Sequence, residues 1–218
     1  MKRVVGGVAL VLAQGAWACA GPSSAPPPQA AKTPPPVASA ELRTPAFFEA
    51  TFSDRAERSR ALFLEATRVL LHPRCVNCHP AGDSPMQGDP PHVHDPPVWR
   101  GPEDRGVVGM ECTSCHQQHN LELARVPGAP TWRLAPAVMA WAGQSAHRIC
   151  EQLKDAARNG GRTLQRIVEH AANDDLVAWG WAPGAGRTPA PGTQALFGDI
   201  VRAWVDSGAE CPAEEASR

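Results

Sequence analysis

The segments CVNCH at residues 75–79 and CTSCH at residues 112–116 share one pattern, Cys-x-x-Cys-His, and they decide how the chain is interpreted. Two thiols at this spacing can each add to one vinyl group of the same porphyrin, and the histidine that follows presents an imidazole to the iron. The spacing therefore predicts one covalently attached c-type haem at each segment. We call the two segments the first motif and the second motif.

Each residue of the pattern receives a role from this chemistry. Thioether bonds are expected at four cysteines, Cys75, Cys78, Cys112 and Cys115. His79 and His116 are expected to bind the two irons from the proximal side. The predicted cofactors are thus two c-type haems, and two one-electron groups in one chain indicate electron transfer.

The Cys-x-x-Cys part of the pattern also occurs in zinc sites and in redox-active dithiols. A zinc site would gather the four cysteines into one tetrahedral cage and leave both adjacent histidines unexplained. A dithiol of the thioredoxin type would sit near a βαβ pattern, which the sequence lacks. Haem attachment accounts for the histidines and is the interpretation that we favour.

The N-terminus has the pattern of an export signal. Lys2 and Arg3 precede an apolar run at 4–13, and the small-residue cleavage pattern AWA follows at 16–18. The run is too short to span a bilayer, so we predict a signal peptide over 1–18. The alternative is an N-terminal anchor or a buried strand.

Cys19 follows the cleavage pattern directly and is a candidate for a lipid-carrying membrane tether, as in bacterial lipoproteins. Ala16 stands where such proteins prefer leucine, so lipid attachment and plain secretion both stay open. Because bacteria attach haem c outside the cytoplasm, we expect a periplasmic, exported protein. The formal net charge of −1 and the absence of a basic run give no case for nucleic acid.

Composition divides the rest of the chain. Residues 19–45 are rich in Pro and Ala and predict an extended tether. Residues 46–212 have the length of a single domain, the expected di-haem cytochrome c domain. Residues 213–218 are expected to form a flexible tail.

The expected fold is mainly α, with cytochrome c-like helices and long irregular loops wrapped around two haems. Apolar periodicity and caps predict a helix that starts at Ser53 and ends near His72, and one opened by the second motif. No alternation predicts strands. Further helices are expected at 135–156, 161–170, 173–179 (with Asn173 as cap) and 193–207.

The cysteine count suggests one disulfide. Seven cysteines, less four for haem and Cys19, leave Cys150 and Cys211. In an oxidising compartment these two are expected to close a loop of roughly sixty residues. Two separate buried thiols are the alternative.

The distal iron ligands are less constrained by the sequence. For the first motif we favour His94, in a loop able to bend back over the iron, with His92 as its competitor. For the second motif we favour His170, with Met139 as the alternative. A methionine ligand raises the reduction potential relative to a second imidazole. The remaining candidates are Met86, Met110, His119 and His147.

Two further features are candidates for contact with haem. The loop WGWAPG at 179–184 carries two tryptophans that either pack on a porphyrin edge or belong to the core. Arg100, Arg105 and Arg187 are candidate partners of the propionates.

Seven segments of the sequence, two of which contain the motifs, carry a resemblance to known proteins. The stretch from residue 75 to 212 that contains them resembles a family of bacterial proteins labelled as cytochrome subunits of isoquinoline 1-oxidoreductase. The resemblance implies a periplasmic redox partner, a molybdenum hydroxylase of the xanthine oxidase type, which releases two electrons per turnover. The segments are CVNCHPAGDSPMQGD, CTSCHQQHN, PGAPTW, LAPAVMAW, QLKDAARNGGR, LVAWGWAPGAGRTPAPGT and WVDSGAECP.

The expected function is therefore electron transfer, in which the polypeptide catalyses no bond chemistry but holds the haems, excludes water and tunes their potentials. One alternative is a di-haem peroxidase with one open iron, which needs an acid–base group nearby. Another is a haem-based sensor that binds a small gas molecule.

Overall fold

A computed structural model of the chain describes residues 1–2 and 41–214. The expected signal peptide beyond Lys2, the candidate lipid site Cys19 and the expected tether up to residue 40 lie outside the described residues. So do the last four residues of the expected tail. Residues 41–214 belong to one compact unit, and Leu42 is already buried in its core.

Helices dominate the described residues, so the mainly α class is confirmed. Two antiparallel hairpins, β1 with β2 and β3 with β4, interrupt them. These strands were not expected, because pairs of two residues are too short to produce an alternating pattern. The helices are α1 Pro45–Thr51, α2 Arg55–Leu70, α3 Pro73–Val76, α4 Cys112–Cys115, α5 Ala146–Lys154, α6 Leu164–Asn173, α7 Asp175–Ala178 and α8 Gln194–Asp206, and the strands are β1 Met86–Gln87, β2 His92–Val93, β3 Gly106–Val107 and β4 Met110–Glu111.

The core forms where α8 packs against both α2 and α6. Phe63 of α2 and Trp204 of α8 are almost fully buried, with ring centroids 4.9 Å apart. Gly198 lets α8 approach α6 closely, because a Cβ at that position would lie 2.6 Å from the Cβ of Ala172. Burial of these apolar faces is the main source of stability that the polypeptide itself provides.

Side-chain caps fix where the principal helices begin. Asp54 accepts a hydrogen bond from the Glu57 N–H at the start of α2, and Ser145, Thr163 and Thr193 cap α5, α6 and α8 in the same way. The expected cap Ser53 was one residue too early. Similarly, Asp174 rather than Asn173 caps α7, accepting from Leu176 and Val177.

Two expected helices are much shorter than the apolar periodicity indicated. Within 135–156 only α5 is an α-helix, preceded by a single 3-10 turn at Ala137–Met139. The backbone of 135–142 instead bonds to the first motif, with Ala135 N–H donating to Cys78 O and Trp141 N–H donating to His79 O. The helix opened by the second motif ends at Cys115, since the next residue is extended.

The C-terminal segment is fastened to the helices by covalent and polar contacts. The predicted disulfide between Cys150 of α5 and Cys211 is present. The buried Ser59 hydroxyl of α2 donates to Trp204 O and accepts from the Glu210 N–H. In the described part of the chain, no helix has the length and apolar character to cross a membrane.

Removal of the disulfide should weaken the fold. Replacing Cys150 and Cys211 together by serine should lower the free energy of unfolding by about 4 kcal/mol, because the bond restricts a long loop in the unfolded chain. Urea unfolding of the oxidised wild type and the double variant measures the difference. A reductant should destabilise the wild type and leave the double variant unchanged; equal stability of the two oxidised proteins would contradict the assignment.

Candidate functional site

The first motif is positioned by the turn between α2 and α3. The ring Nδ1 of His72 accepts a hydrogen bond from the Arg74 N–H and caps α3, and Pro73 occupies the first helical position. The chain then passes through Cys75 and Cys78 to His79. These three motif residues lie along one wall of the cavity described below.

The ring of His79 is held in place by residues that lie far away in the sequence. Its Nδ1 lies 2.7 Å from the carbonyl oxygen of Met139, and its face stacks on Trp141 with ring centroids 3.4 Å apart. A carbonyl only accepts, so Nδ1 carries the proton and Nε2 keeps its lone pair. Burial lowers the pKa of His79 to about 3, so the ring is neutral.

The second motif repeats this arrangement with other residues. His116 Nδ1 lies 2.7 Å from the carbonyl oxygen of Pro127, and the ring stacks on Trp132 with centroids 4.5 Å apart and planes 8° apart. Burial again lowers the pKa of His116. Both motifs therefore present a neutral imidazole whose Nε2 can bind a metal ion.

A cavity of about 290 Å³ opens beside the first motif. Its walls are mostly apolar and come from α2, α6 and α8, and this volume is at the lower end of the range for ligand sites. Burial raises the pKa of Cys75 to about 12 and that of Cys78 to about 11, so both thiols are protonated. The apolar side chains lining it include Phe63, Leu70, Ile167, Phe197, Val201 and Trp204.

The four motif cysteines do not form a shared zinc cage in the structure. Among residues 1–2 and 41–214, no group of three or more His, Cys, Asp or Glu side chains is close enough to hold one metal ion. The arrangement instead offers one histidine per motif next to a pair of thiols.

The structure places each favoured distal histidine beside the other motif from the one for which it was considered. His94 lies beside His116, with ring centroids 5.9 Å apart and planes at 71°, and it does not line the first-motif cavity. His170 lines that cavity together with His79, and a charge on His170 would further lower the pKa of His79. The pairing of His94 with the first motif and of His170 with the second stays a prediction, but loop 80–109 brings His94 to the second motif and α6 places His170 at the first-motif cavity.

The alternative ligands are placed less favourably. Both ring nitrogens of His92 have partners, Pro90 O and the Gln87 side chain. Met139 lies beside the first motif, where its carbonyl supports His79, and not beside the second motif for which it was considered. Met86 pairs in β1 and is absent from the cavity wall.

The other three candidates also lie away from the first-motif cavity. Met110 and His119 are exposed. The His147 ring bonds to the Pro212 carbonyl, near the disulfide.

The arginines named from sequence have structural partners. Arg100 is buried and donates to the carbonyls of Ala135 and Gly82 and to Asp104. Arg187 donates to two backbone carbonyls, and Arg105 is largely exposed with Glu103 nearby. The cations that do line the first-motif cavity are Arg74, Arg133 and Arg162.

Trp179 connects the surroundings of the two motifs. It lines the first-motif cavity, and its ring meets the edge of Trp132 at a centroid distance of 4.9 Å. Trp132 in turn stacks on His116. Trp181 does not line the cavity; it packs on Phe197 and donates to Pro191 O.

Sequence reasoning missed the groups that hold the two motif histidines. The acceptors are backbone carbonyls of Met139 and Pro127, and a carbonyl has no residue signature. Trp132 and Trp141 carried a usable signal, since they stand in the segments PGAPTW and LAPAVMAW. Each tryptophan follows its motif histidine at a different separation along the chain, so the repeated arrangement is not visible in the sequence.

Comparison of the chain with protein-family models, curated proteins and solved structures gave no match.

The ion pair that the buried Arg74 forms with Asp89 next to the first motif should be important for stability. Arg74 has a side chain 1% exposed, pairs with Asp89, and lies 5.6 Å from the centroid of the Trp179 ring. Asp89→Ala should lower the free energy of unfolding by about 3 kcal/mol, because it leaves a buried charge without a partner. Asp83→Ala, at an exposed partner of Arg100, is the matched control and should change it by less than about 0.5 kcal/mol; similar losses in urea unfolding would refute the distinction.

Gly128 should be required for the packing of the segment whose Pro127 carbonyl accepts from His116. It follows Pro127, and a Cβ at this position would collide with the carbonyl oxygens of His119 and Gln117. Gly128→Ala should lower the free energy of unfolding by roughly 1–3 kcal/mol through overpacking. Gly82→Ala, where a Cβ meets nothing within 4 Å, should be close to neutral in thermal and urea unfolding, and a neutral Gly128→Ala would contradict this packing argument.

Proposed function

We propose that this chain is an exported di-haem c-type cytochrome that transfers electrons. The observation that carries the proposal is the arrangement built twice around the motifs. In both, a histidine directly after Cys-x-x-Cys donates from Nδ1 to a backbone carbonyl, stacks on a tryptophan and keeps its Nε2 lone pair. A zinc ribbon or a dithiol pair does not require a histidine whose ring is oriented in this way.

The residues fit the cofactor at each motif. Cys75 and Cys78 are the thioether donors at the first motif, and His79 is the axial ligand. Cys112, Cys115 and His116 are the corresponding set at the second. The wall of the first-motif cavity is largely apolar, as a porphyrin requires.

The cavity wall also includes polar groups suited to a cofactor with carboxylates. The buried Nε of Arg74 has no hydrogen-bond partner among the described residues. Arg133 and Arg162 add two further cations to the wall. These three arginines, rather than Arg100 or Arg187, are the candidates to pair with propionates.

The protein contributes orientation, electrostatics and exclusion of water. When bound, each haem supplies a reversible one-electron centre. The carbonyl acceptors of Met139 and Pro127 fix the tautomer of each histidine and increase the basicity of its Nε2. The buried side chains of α2, α6 and α8 keep water from the first motif, which influences the reduction potential.

The two sites are close enough to act together. Trp179 borders the first-motif cavity and touches Trp132, on which the second-motif histidine stacks. This proximity supports electron exchange within the chain.

The partner and location belong to the same proposal. The resemblance of residues 75–212 to cytochrome subunits of isoquinoline 1-oxidoreductase supports a xanthine oxidase-type molybdenum hydroxylase as electron donor. The signal-like residues 1–18 support export to the periplasm. Cys19 is the candidate lipid anchor, and the Pro-rich tether would then separate the haem domain from the membrane.

Haem attachment can be counted directly. The full chain, expressed in a host that matures c-type cytochromes, should exceed its polypeptide mass by two haems and contain iron. Replacing Cys75 and Cys78 by serine should remove one haem, and replacing Cys112 and Cys115 should remove the other. Mass spectrometry of the purified proteins and a haemochrome spectrum give both counts.

The disulfide cysteines provide the matched control. Replacing Cys150 and Cys211 by serine should leave both haems attached, because they lie outside the motifs. A colourless wild type, or one that contains zinc instead of iron, would refute the proposal. Reversible reduction without turnover of hydrogen peroxide would support electron transfer over peroxidase chemistry.

A further inference from the structure

We infer that the histidines cross between the motifs, so that His170 is the second axial ligand opposite His79 and His94 is the second axial ligand opposite His116. The inference rests on the proposed function, because it assigns ligands to the haems that the motifs are proposed to carry. It gives each iron two imidazoles.

Both distal histidines are oriented like the two motif histidines. His94 Nδ1 lies 2.8 Å from the carbonyl oxygen of Pro96, and His170 Nδ1 lies 3.0 Å from the Asp174 carboxylate. Each partner only accepts, so Nδ1 carries the proton. No described residue forms a hydrogen bond with Nε2 of either ring, so that nitrogen is the one available to a metal.

The spacing of His94 and His116 suits one metal between them. Imidazole nitrogen binds transition metals at about 2 Å, so two imidazoles on opposite sides of one metal have ring centres roughly 6 Å apart. The observed distance between the ring centroids is 5.9 Å. The ring planes meet at 71°, so the two rings do not stack face to face, and this angle is compatible both with T-shaped packing and with two imidazoles bound to one metal.

The position of His170 suits the first motif. It stands in the last turn of α6, whose apolar residues form part of the cavity wall, and it lines the cavity that also contains His79. His79 is held by the Met139 carbonyl and by stacking on Trp141. The histidines that line this cavity are His79 and His170. Their two Nε2 atoms are therefore the ring nitrogens available to a metal there.

The competing histidines are engaged or exposed. His92 uses both ring nitrogens in hydrogen bonds, and His119 is exposed. Met139 binds the His79 ring through its backbone carbonyl, and its side chain is the remaining competitor at the first-motif cavity. Bis-imidazole ligation at both irons gives lower potentials than methionine ligation and leaves no open position for peroxide or a gas.

Methionine substitution distinguishes the crossed pairing from the uncrossed one. In matured full-length protein, His94→Met should shift the paramagnetic NMR signals of the porphyrin bonded to Cys112 and Cys115. The signals of the other porphyrin should stay in place. His170→Met should do the reverse and alter the porphyrin bonded to Cys75 and Cys78.

Glycine variants test ligation against a purely structural role. His94→Gly and His170→Gly should each convert one of the two low-spin haems to high spin, and added imidazole should restore the low-spin spectrum. Should His170→Met fail to accumulate, His170→Gly produced with imidazole tests the same ligand. A histidine that only supports the fold would show no such rescue.

The controls distinguish a failure of the crossed pairing from a failure of the proposed function. His92→Met and His119→Met should leave both low-spin spectra unchanged. The crossed pairing is overturned if His94→Met shifts the porphyrin bonded to Cys75 and Cys78, or if neither distal variant changes any signal. Failure of the proposed function itself has a different signature, a wild-type chain that carries no haem.

Discussion

The hydrogen bond from each motif histidine to a backbone carbonyl is the constraint around which the rest of the domain is arranged. Each bond fixes a tautomer and a ring orientation, and it does so with acceptors supplied by distant chain segments. The segment 135–142 therefore lies against the first motif instead of forming a helix. A helix would have used the Met139 carbonyl internally and left the His79 ring without its acceptor.

A second layer of contacts holds these acceptors in place, and it differs between the motifs. At the first motif, Gln152 of α5 accepts from the Trp141 indole and donates to Val138 O. α5 is itself joined to the C-terminal segment by the disulfide. At the second motif, the side-chain oxygen of Asn120 accepts from both Gly128 N–H and the Trp179 indole. The helical core thus supports the first motif directly, whereas a loop amide organises the second.

The sequence allowed much of the helical framework to be predicted, because its signals are local. The apolar face of the last expected helix, at 193–207, and the pairing of Cys150 with Cys211 both agree with the structure. The expected helix at 135–156 failed because apolar periodicity reports only that a segment is buried on one side. It cannot tell whether the burial is against a helical core or around a motif. The cap at Asp54 instead of Ser53 shows how two adjacent capping residues leave a boundary undecided.

The distal histidines show why proximity in sequence is a poor guide to a site built from loops. His94 follows the first motif by fifteen residues, and a tight loop would have returned it to the same site. The two hairpins and the buried Arg100 prevent that return. Arg100 N–H donates to Asp83 O and Gly106 N–H donates to Arg100 O, so these bonds fix the base of the loop, and its middle places His94 beside His116. The first-motif cavity is consequently closed by α6, which the chain reaches only after passing both motifs. The loop that follows the first motif thus brings His94 beside His116 of the second, and this contact gives a physical reason for the two motifs to share one domain.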